Sequence, residues 1–210
     1  MALKSKAYIR RADRSDIDTM VAWMEDPAFV HFIYGDAVRT SKQIRQQLVS
    51  MIGRQMPGMI PGHLHLIAER PGEEPLGMLT IGGISWRNRN CSLDAYIVEK
   101  ARNQMTGFTV ICQGIDYCFR ELNVRRINVY IYAFNPRSWR LFEITGSKRE
   151  LELKEHVARD GELMEMYAYG LLRSEWETFK ERMGKRYVGM SLDTMVENRR
   201  ALLSDAPPQS

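Results

Sequence analysis

No run in this chain approaches the roughly eighteen apolar residues that a membrane span needs, and no apolar leader-type stretch opens it. Both absences point to a cytoplasmic protein without a membrane. Cysteine is scarce: Cys91, Cys112 and Cys118 are an odd set without metal-ligand spacing, and Cys112 and Cys118 share a helix too far apart to join easily. Reduced thiols are expected, and neither a disulfide framework nor a metal site. His31, His63, His65 and His156 form no metal pattern either. An excess of one charge is also lacking, since 30 basic and 26 acidic residues leave only +4, which argues against nucleic acid as the partner. There is no internal repeat, and only the Pro-rich end, Ser204 to Ser210, reads as loose. The 210 residues, 44% of them hydrophobic, suffice for one globular domain with a full core and an appendage.

Hydropathy period divides the chain. Ser15 and Asp18 suggest a capping box before a helix through Met24. Ser41 to Gly53 reads as a helix with Ile44, Leu48, Met51 and Ile52 inward. Met56 to Gly62 breaks regular structure. Strands are expected at Leu64 to Glu69 and Gly77 to Trp86, joined by a turn at Pro71-Gly72-Glu73-Glu74. Leu151 to Val157 and Met164 to Leu171 form a closing hairpin around Asp160-Gly161. Beyond residue 172, Trp176, Phe179, Met183, Tyr187, Leu192, Met195 and Val196 mark a helical extension. Packing on its own domain is the simpler fate for its apolar face, and a homodimer contact is the other. The expected division is therefore a domain over 1–172 and an extension over 173–210.

The densest information lies between residues 92 and 147. Ser92 to Val98 alternates as a strand with one face on a core, so Asp94 and Tyr96 share a face. From Gly107 the period lengthens, with Phe108, Ile111, Ile115, Cys118, Phe119 and Leu122 on one side of a helix. The intervening turn, Arg102-Asn103-Gln104-Met105-Thr106-Gly107, sets free backbone N–H groups at a helix start, where the dipole favours an anion. Arg102 adds a charge that can reach a phosphate. Arg126 to Tyr132 alternates again and delivers Asn135-Pro136-Arg137-Ser138 to another helix that Gly146 ends. Further basic residues, Arg87, Arg89, Lys100, Arg125, Arg126, Arg137 and Arg140, flank this block, either drawing in an anion or forming a solvated rim. Spacing alone leaves two readings open, a phosphate cradle or an ordinary right-handed crossover whose polar residues only cap helices.

These residues resemble the GNAT superfamily of N-acetyltransferases, in particular its branch of ribosomal-protein alanine N-acetyltransferases. Arg102 and Gly107 fall on the family's Q/R-x-x-G-x-G/A turn, and Asn135 and Ser138 on its N-x-x-S helix start. Ile9 to Asp16, Trp23 to Pro27, Gly146-Ser147, Arg159 to Glu162 and the strand Met164 to Tyr169 extend the similarity over residues 7 to 172. The resemblance implies an α/β (α+β) fold: a mixed, mostly antiparallel central sheet flanked by helices and splayed at the cofactor strand. Acetyl-CoA is the implied donor, with Tyr96, Ile97, Val98, Arg102, Asn103, Gln104, Met105, Thr106, Gly107, Asn135 and Ser138 as its binding residues. The implied reaction moves an acetyl group to a primary amine, a protein N-terminus or a small amine, by direct attack.

Three positions depart from that pattern. Met105 replaces the first glycine of the turn and limits backbone approach to a pyrophosphate. Phe142 stands where relatives place a tyrosine acid and has no proton to give. Ser147 replaces a phenylalanine. The chemistry needs a base for the amine, donors for the oxyanion and a group to meet the departing thiolate. Asp94, through water, is the candidate base. The N–H groups of Tyr96 to Val98, freed by a strand splay, are the candidate oxyanion donors. Ser138 is the candidate for the sulfur, and Asn135 binds pantetheine amides or merely caps its helix. Both Asp94 and Ser138 have plainer readings, as a strand carboxylate and a helix-start serine. His63 and His65 share a strand face and are candidate acceptor-pocket residues, with Tyr34, Trp86, Tyr96 and the loop Met56 to Met59. Met105 also prompts a donor with a longer acyl chain or an acyl carrier protein, and a domain that binds acyl-CoA or a partner without turnover is the third alternative.

Overall fold

Chain entry is fixed by an Arg–Asp fork. Strand β1 (Tyr8–Arg11) presents Arg10, which grips Asp16 through two 2.8 Å contacts and Glu69 at 3.1 Å. Asp13 and Asp16 form the capping box that starts a short 3-10 turn and then α1 (Ile17–Met24). The box therefore sits two residues before the expected Ser15–Asp18 pair, because the Asp16 carboxylate is already held by Arg10.

The computed structural model describes residues 7–34, 39–53, 61–102, 105–159 and 161–186, which fall into two compact units, Met1–Val124 and Arg125–Ser210. After α1 the first unit continues through a single turn, α2 (Pro27–Phe29), a π-helical stretch Val30–Tyr34, and α3 (Ser41–Gly53). It then forms β2 (Leu64–Glu69), β3 (Gly77–Ser85), β4 (Asn90–Ile97), a short α4 (Glu99–Arg102) and α5 (Met105–Arg120). Strands β1 to β4 lie side by side in chain order and pair antiparallel.

Alternation decides what each face of β2 to β4 carries. One face bears Ile67, Met78 and Tyr96 in a cross-strand row, and α1, α2 and α3 cover it with Met20, Met24, Phe29, Ile44 and Leu48. Gly77, at the start of β3, must be glycine: a Cβ there would stand 2.1 Å from the Tyr96 carbonyl oxygen. Cys118 of α5 meets Cys91 of β4 rather than Cys112, and all three cysteines are free and buried.

The second unit comprises β5 (Arg126–Tyr132), α6 (Pro136–Ile144), β6 (Arg149–Arg159), β7 (Glu162–Leu172) and α7 (Arg173–Arg186). Strand β7 lies between β5 and β6 and is antiparallel to both. Gly161 takes φ +83° in the expected β6–β7 turn. Helix α7 packs on β7, with Trp176 and Phe179 buried and stacked at 5.3 Å, so this part of the extension folds onto its own unit. Residues 187–210, which include the rest of the expected homodimer surface, lie outside the described residues. The seven strands with flanking helices are of the expected α/β, mostly antiparallel class. Among the described residues no helix is long and apolar enough to cross a membrane.

Candidate active site

Among the described residues the helical cover of the first unit does not pack directly on the whole sheet face. One row beyond Ile67–Met78–Tyr96 on the same face, the register sets His65 opposite Thr80 and Thr80 opposite Asp94. His65 Nδ1 and Thr80 Oγ1 lie 3.2 Å apart. A cavity of about 340 Å³ opens over this row. Its walls are Met24, Phe29, Ile33, Gln47, Leu48 and Met51 from the helices, and Met78 and Tyr96 from the sheet. His63 lies at its margin, and Gly82 makes room for it: a Cβ at Gly82 would come within 2.9 Å of Ser92 Oγ and 3.4 Å of His63 Cδ2.

Among the described residues Asp94 is the one carboxylate lining the cavity, and no Lys or Arg forms an ion pair with it. The protein packed around it pushes its pKa up to about 6, with no charged neighbour contributing. Its side chain reaches the cavity mouth and is exposed there. His65 is the opposite case: only 4% exposed, it is pushed down to about 4, first by burial and then by His63, and is neutral at physiological pH. Its Nε2 has no hydrogen-bond partner.

The end of β4 is braced from two sides. Val98 N–H donates to the Leu76 carbonyl at 2.9 Å. Because antiparallel pairs alternate, the N–H groups of Tyr96 and Asp94 also point at β3, whereas those of Ala95 and Ile97 point to the other edge of β4. The expectation of three free donors from Tyr96 to Val98 is thus corrected: the β3–β4 ladder continues through Val98 and leaves only Ile97 directed away. Arg102 does not extend outward as expected. Its Nε donates to the Ile97 carbonyl at 2.7 Å, and its guanidinium carbon lies 5.5 Å from the Tyr96 ring centre. Burial, and then a hydrogen bond to Asp26, push the Tyr96 hydroxyl up to about 12, so it stays protonated.

The first turn of α5 is the remaining anion-binding feature of this unit. Gly107 leaves that turn bare, the nearest atom to a Cβ there being Ile97 Cγ1 at 3.7 Å. Buried Arg70 donates to Thr106 Oγ1 in the same turn and to Glu73 at 3.1 Å. Sequence reasoning missed Arg70; its only signal was a lone charge between a strand end and Pro71-Gly72. These groups suit a phosphate-bearing ligand. Asn103, Gln104 and the Met105 side chain lie outside the described residues. Of the flanking cations, Lys100 pairs with Glu74, Arg126 with Glu150, and Arg89 binds the Asn123 carbonyl and side chain.

In the second unit Asn135 occupies the N-cap of α6, yet its side chain makes no capping bond. The Ser138 N–H donates to the Asn135 carbonyl at 3.1 Å, and its side chain is half-buried. Phe142 is buried, with its ring 6.3 Å from Tyr169, and Ser147 Oγ lies 3.0 Å from Thr145 Oγ1. Trp86 is exposed and donates to the Pro61 carbonyl, away from the cavity walls. Tyr34's side chain and residues 56 to 59 lie outside the described residues, and His31 and His156 are exposed. Thr80 carried no sequence signal, because its place between His65 and Asp94 depends on strand register. Among the described residues no group of three His, Cys, Asp or Glu side chains is arranged to hold a metal.

The acetyltransferase (GNAT) domain family matches residues 6–148. Over 120 residues, 54% of this chain and 69% of the relative, the sequence is 23% identical to the spermidine N(1)-acetyltransferase of Vibrio cholerae serotype O1 (strain ATCC 39315 / El Tor Inaba N16961). The crystal structure of spermidine N-acetyltransferase from Vibrio cholerae in complex with CoA and spermine superposes with TM-score 0.73 at 16% identity, covering 82% of this chain and 98% of that one. A dodecameric structure of spermidine N-acetyltransferase from Vibrio cholerae in an intermediate state gives TM-score 0.69 at 17% identity, covering 81% and 96%. None of these relatives represents the ribosomal-protein branch. With most of its length inside the family match and its fold shared with those structures, the chain belongs to the GNAT family of acetyl-CoA-dependent N-acetyltransferases.

Proposed function

We propose that the chain acetylates a small primary amine held in the cavity over His65, Thr80 and Asp94. The observation that carries this reading is Asp94, which among the described residues has no cationic partner and is the one carboxylate lining the cavity. A carboxylate poised near neutrality can anchor an ammonium group and then take its proton, directly or through water. His65, neutral and bonded to Thr80, orients that hydroxyl beside Asp94 without adding a competing positive charge.

Acetyl-CoA supplies the thioester carbonyl. For its pyrophosphate we assign the first turn of α5 from Met105 to Gly107, with Arg70 fixing Thr106 there, and for its pantetheine amides the Asn135 side chain, which helix capping does not occupy. Ile97 N–H is the proposed donor to the developing oxyanion. Arg102 holds that segment through the Ile97 carbonyl. Ser138 is the proposed group that meets the departing sulfur, since Phe142 carries no proton to give. The spermidine acetyltransferase relatives support a small amine over a protein N-terminus. Calorimetric titration with acetyl-CoA, followed by thiol release on adding amines, tests the reading. Binding with amine-dependent release is expected; no binding would overturn it.

A further inference from the structure

We propose that the acceptor is a primary amine with a single ammonium group and an apolar, preferably aromatic, body, and that polyamines are poor substrates. This rests on the reading of Asp94 as the carboxylate that receives the amine. The cavity of about 340 Å³ lies at the small end of ligand pockets. Among the described residues its wall holds one carboxylate, Asp94, set in the polar row at the sheet. Around that row stand Met24, Phe29, Ile33, Leu48 and Met51, with Met78 and Tyr96 beside it on the sheet, a lining of three thioethers, two rings and two aliphatic side chains. Thioethers adapt their shape and make favourable contacts with aromatic rings.

A polyamine brings further ammonium groups along its length. Once the first is on Asp94, the others would meet that apolar lining and lose water without gaining a counter-charge. The remaining polar groups do not change this balance. Among the described residues His65 is neutral, His63 carries no negative charge, Gln47 Oε1 already accepts a hydrogen bond from Arg39, and Asp26, which holds the Tyr96 hydroxyl and caps Ala28, does not line the cavity. An apolar body, by contrast, exchanges water for the lining at no such cost.

The test is amine competition with the full chain and acetyl-CoA, comparing 2-phenylethylamine, hexylamine, spermidine and a short peptide with a free N-terminus. A kcat/KM for 2-phenylethylamine roughly tenfold or more above that for spermidine and the peptide is expected. Met51→Glu, at a half-exposed cavity position, adds a second carboxylate and should move the ratio toward spermidine by about tenfold, with Gln47→Glu as an independent variant should Met51→Glu fail to fold. Acetyl-CoA binding with equal or preferred use of spermidine or the peptide, with no amine turned over, or with no change of ratio in the folded carboxylate variants, overturns the substrate assignment and leaves the acetyltransferase standing. Absence of acetyl-CoA binding overturns both.

Discussion

Two neighbouring rows of side chains on one sheet face behave in opposite ways. Ile67, Met78 and Tyr96 are buried beneath α1 to α3 and join the apolar core. His65, Thr80 and Asp94, one row away on the same three strands, line an open cavity with polar groups. Strand geometry is shared, so what differs is the cover. Where the described helices stand off the sheet and wall a cavity instead of packing on it, polar side chains can occupy the inward positions, His65 buried and Asp94 reaching the mouth. The site is thus made by a gap between two layers rather than by an added element.

The sharpest way to break the contrast is to remove the charge from the open row. Asp94→Asn should lower kcat/KM for the amine by roughly a hundredfold or more at unchanged acetyl-CoA affinity. The fold should not suffer, since the carboxyl's raised pKa means that its charged form is disfavoured in the folded state above pH about 6. Denaturant unfolding checks this, and a loss of stability equal to the loss of rate would reduce Asp94 to a structural residue.

Leu48→Ala attacks the covered side. Leu48 is 1% exposed under the cover, and its truncation should cost about 2–5 kcal/mol of unfolding free energy. The same deletion at exposed Val49, the next residue of α3, should change stability by less than about 0.5 kcal/mol.

Acid distinguishes the rows further. His65 is neutral in the fold down to about pH 4, whereas an unfolded histidine takes up a proton near about 6.5. Between those values the unfolded chain binds the extra proton, so the His65 contribution to stability should fall with pH across this window by up to about 3 kcal/mol, while Asp94, whose raised pKa makes the folded state take up its proton first, offsets part of that loss. His65→Leu should flatten that dependence, read as denaturation midpoints at pH 7 and pH 4.5; an unchanged slope would place the acid lability elsewhere. Activity has its own limb, because Asp94 must be ionised to accept a proton, and the rate should drop as pH falls through about 6. The smallest effect on activity is expected for Thr80→Val, about 1 kcal/mol in kcat/KM through loss of one hydrogen bond beside Asp94.

Periodicity carried the secondary structure well. The helix Ser41–Gly53 and the strand Leu64–Glu69 run between the expected residues, and Asp94 and Tyr96 share a face as alternation required. Local signals were weaker where side chains compete. The Ser15–Asp18 pattern lost to Asp13–Asp16 because Arg10 claims Asp16, and the Arg102 Nε is bonded to the Ile97 carbonyl, a contact the sequence did not suggest. Neither preference is written in spacing. The site was legible only in part: Asp94, His63 and His65 stood out as residue types, whereas Thr80, Met24, Phe29 and Met78 join them through strand register and helix placement, which depend on the whole chain. Arg70 is the same kind of omission, since one buried guanidinium at a strand end resembles any surface charge in sequence.

The central claim, that Asp94 in the open row receives the amine, is tested most directly by carbon NMR titration of the Asp94 carboxyl with and without 2-phenylethylamine. The account predicts a midpoint near about 6 that falls when the amine binds, because an ammonium favours the charged carboxylate. A midpoint at the ordinary value of about 3.9 that the amine leaves unmoved would contradict it.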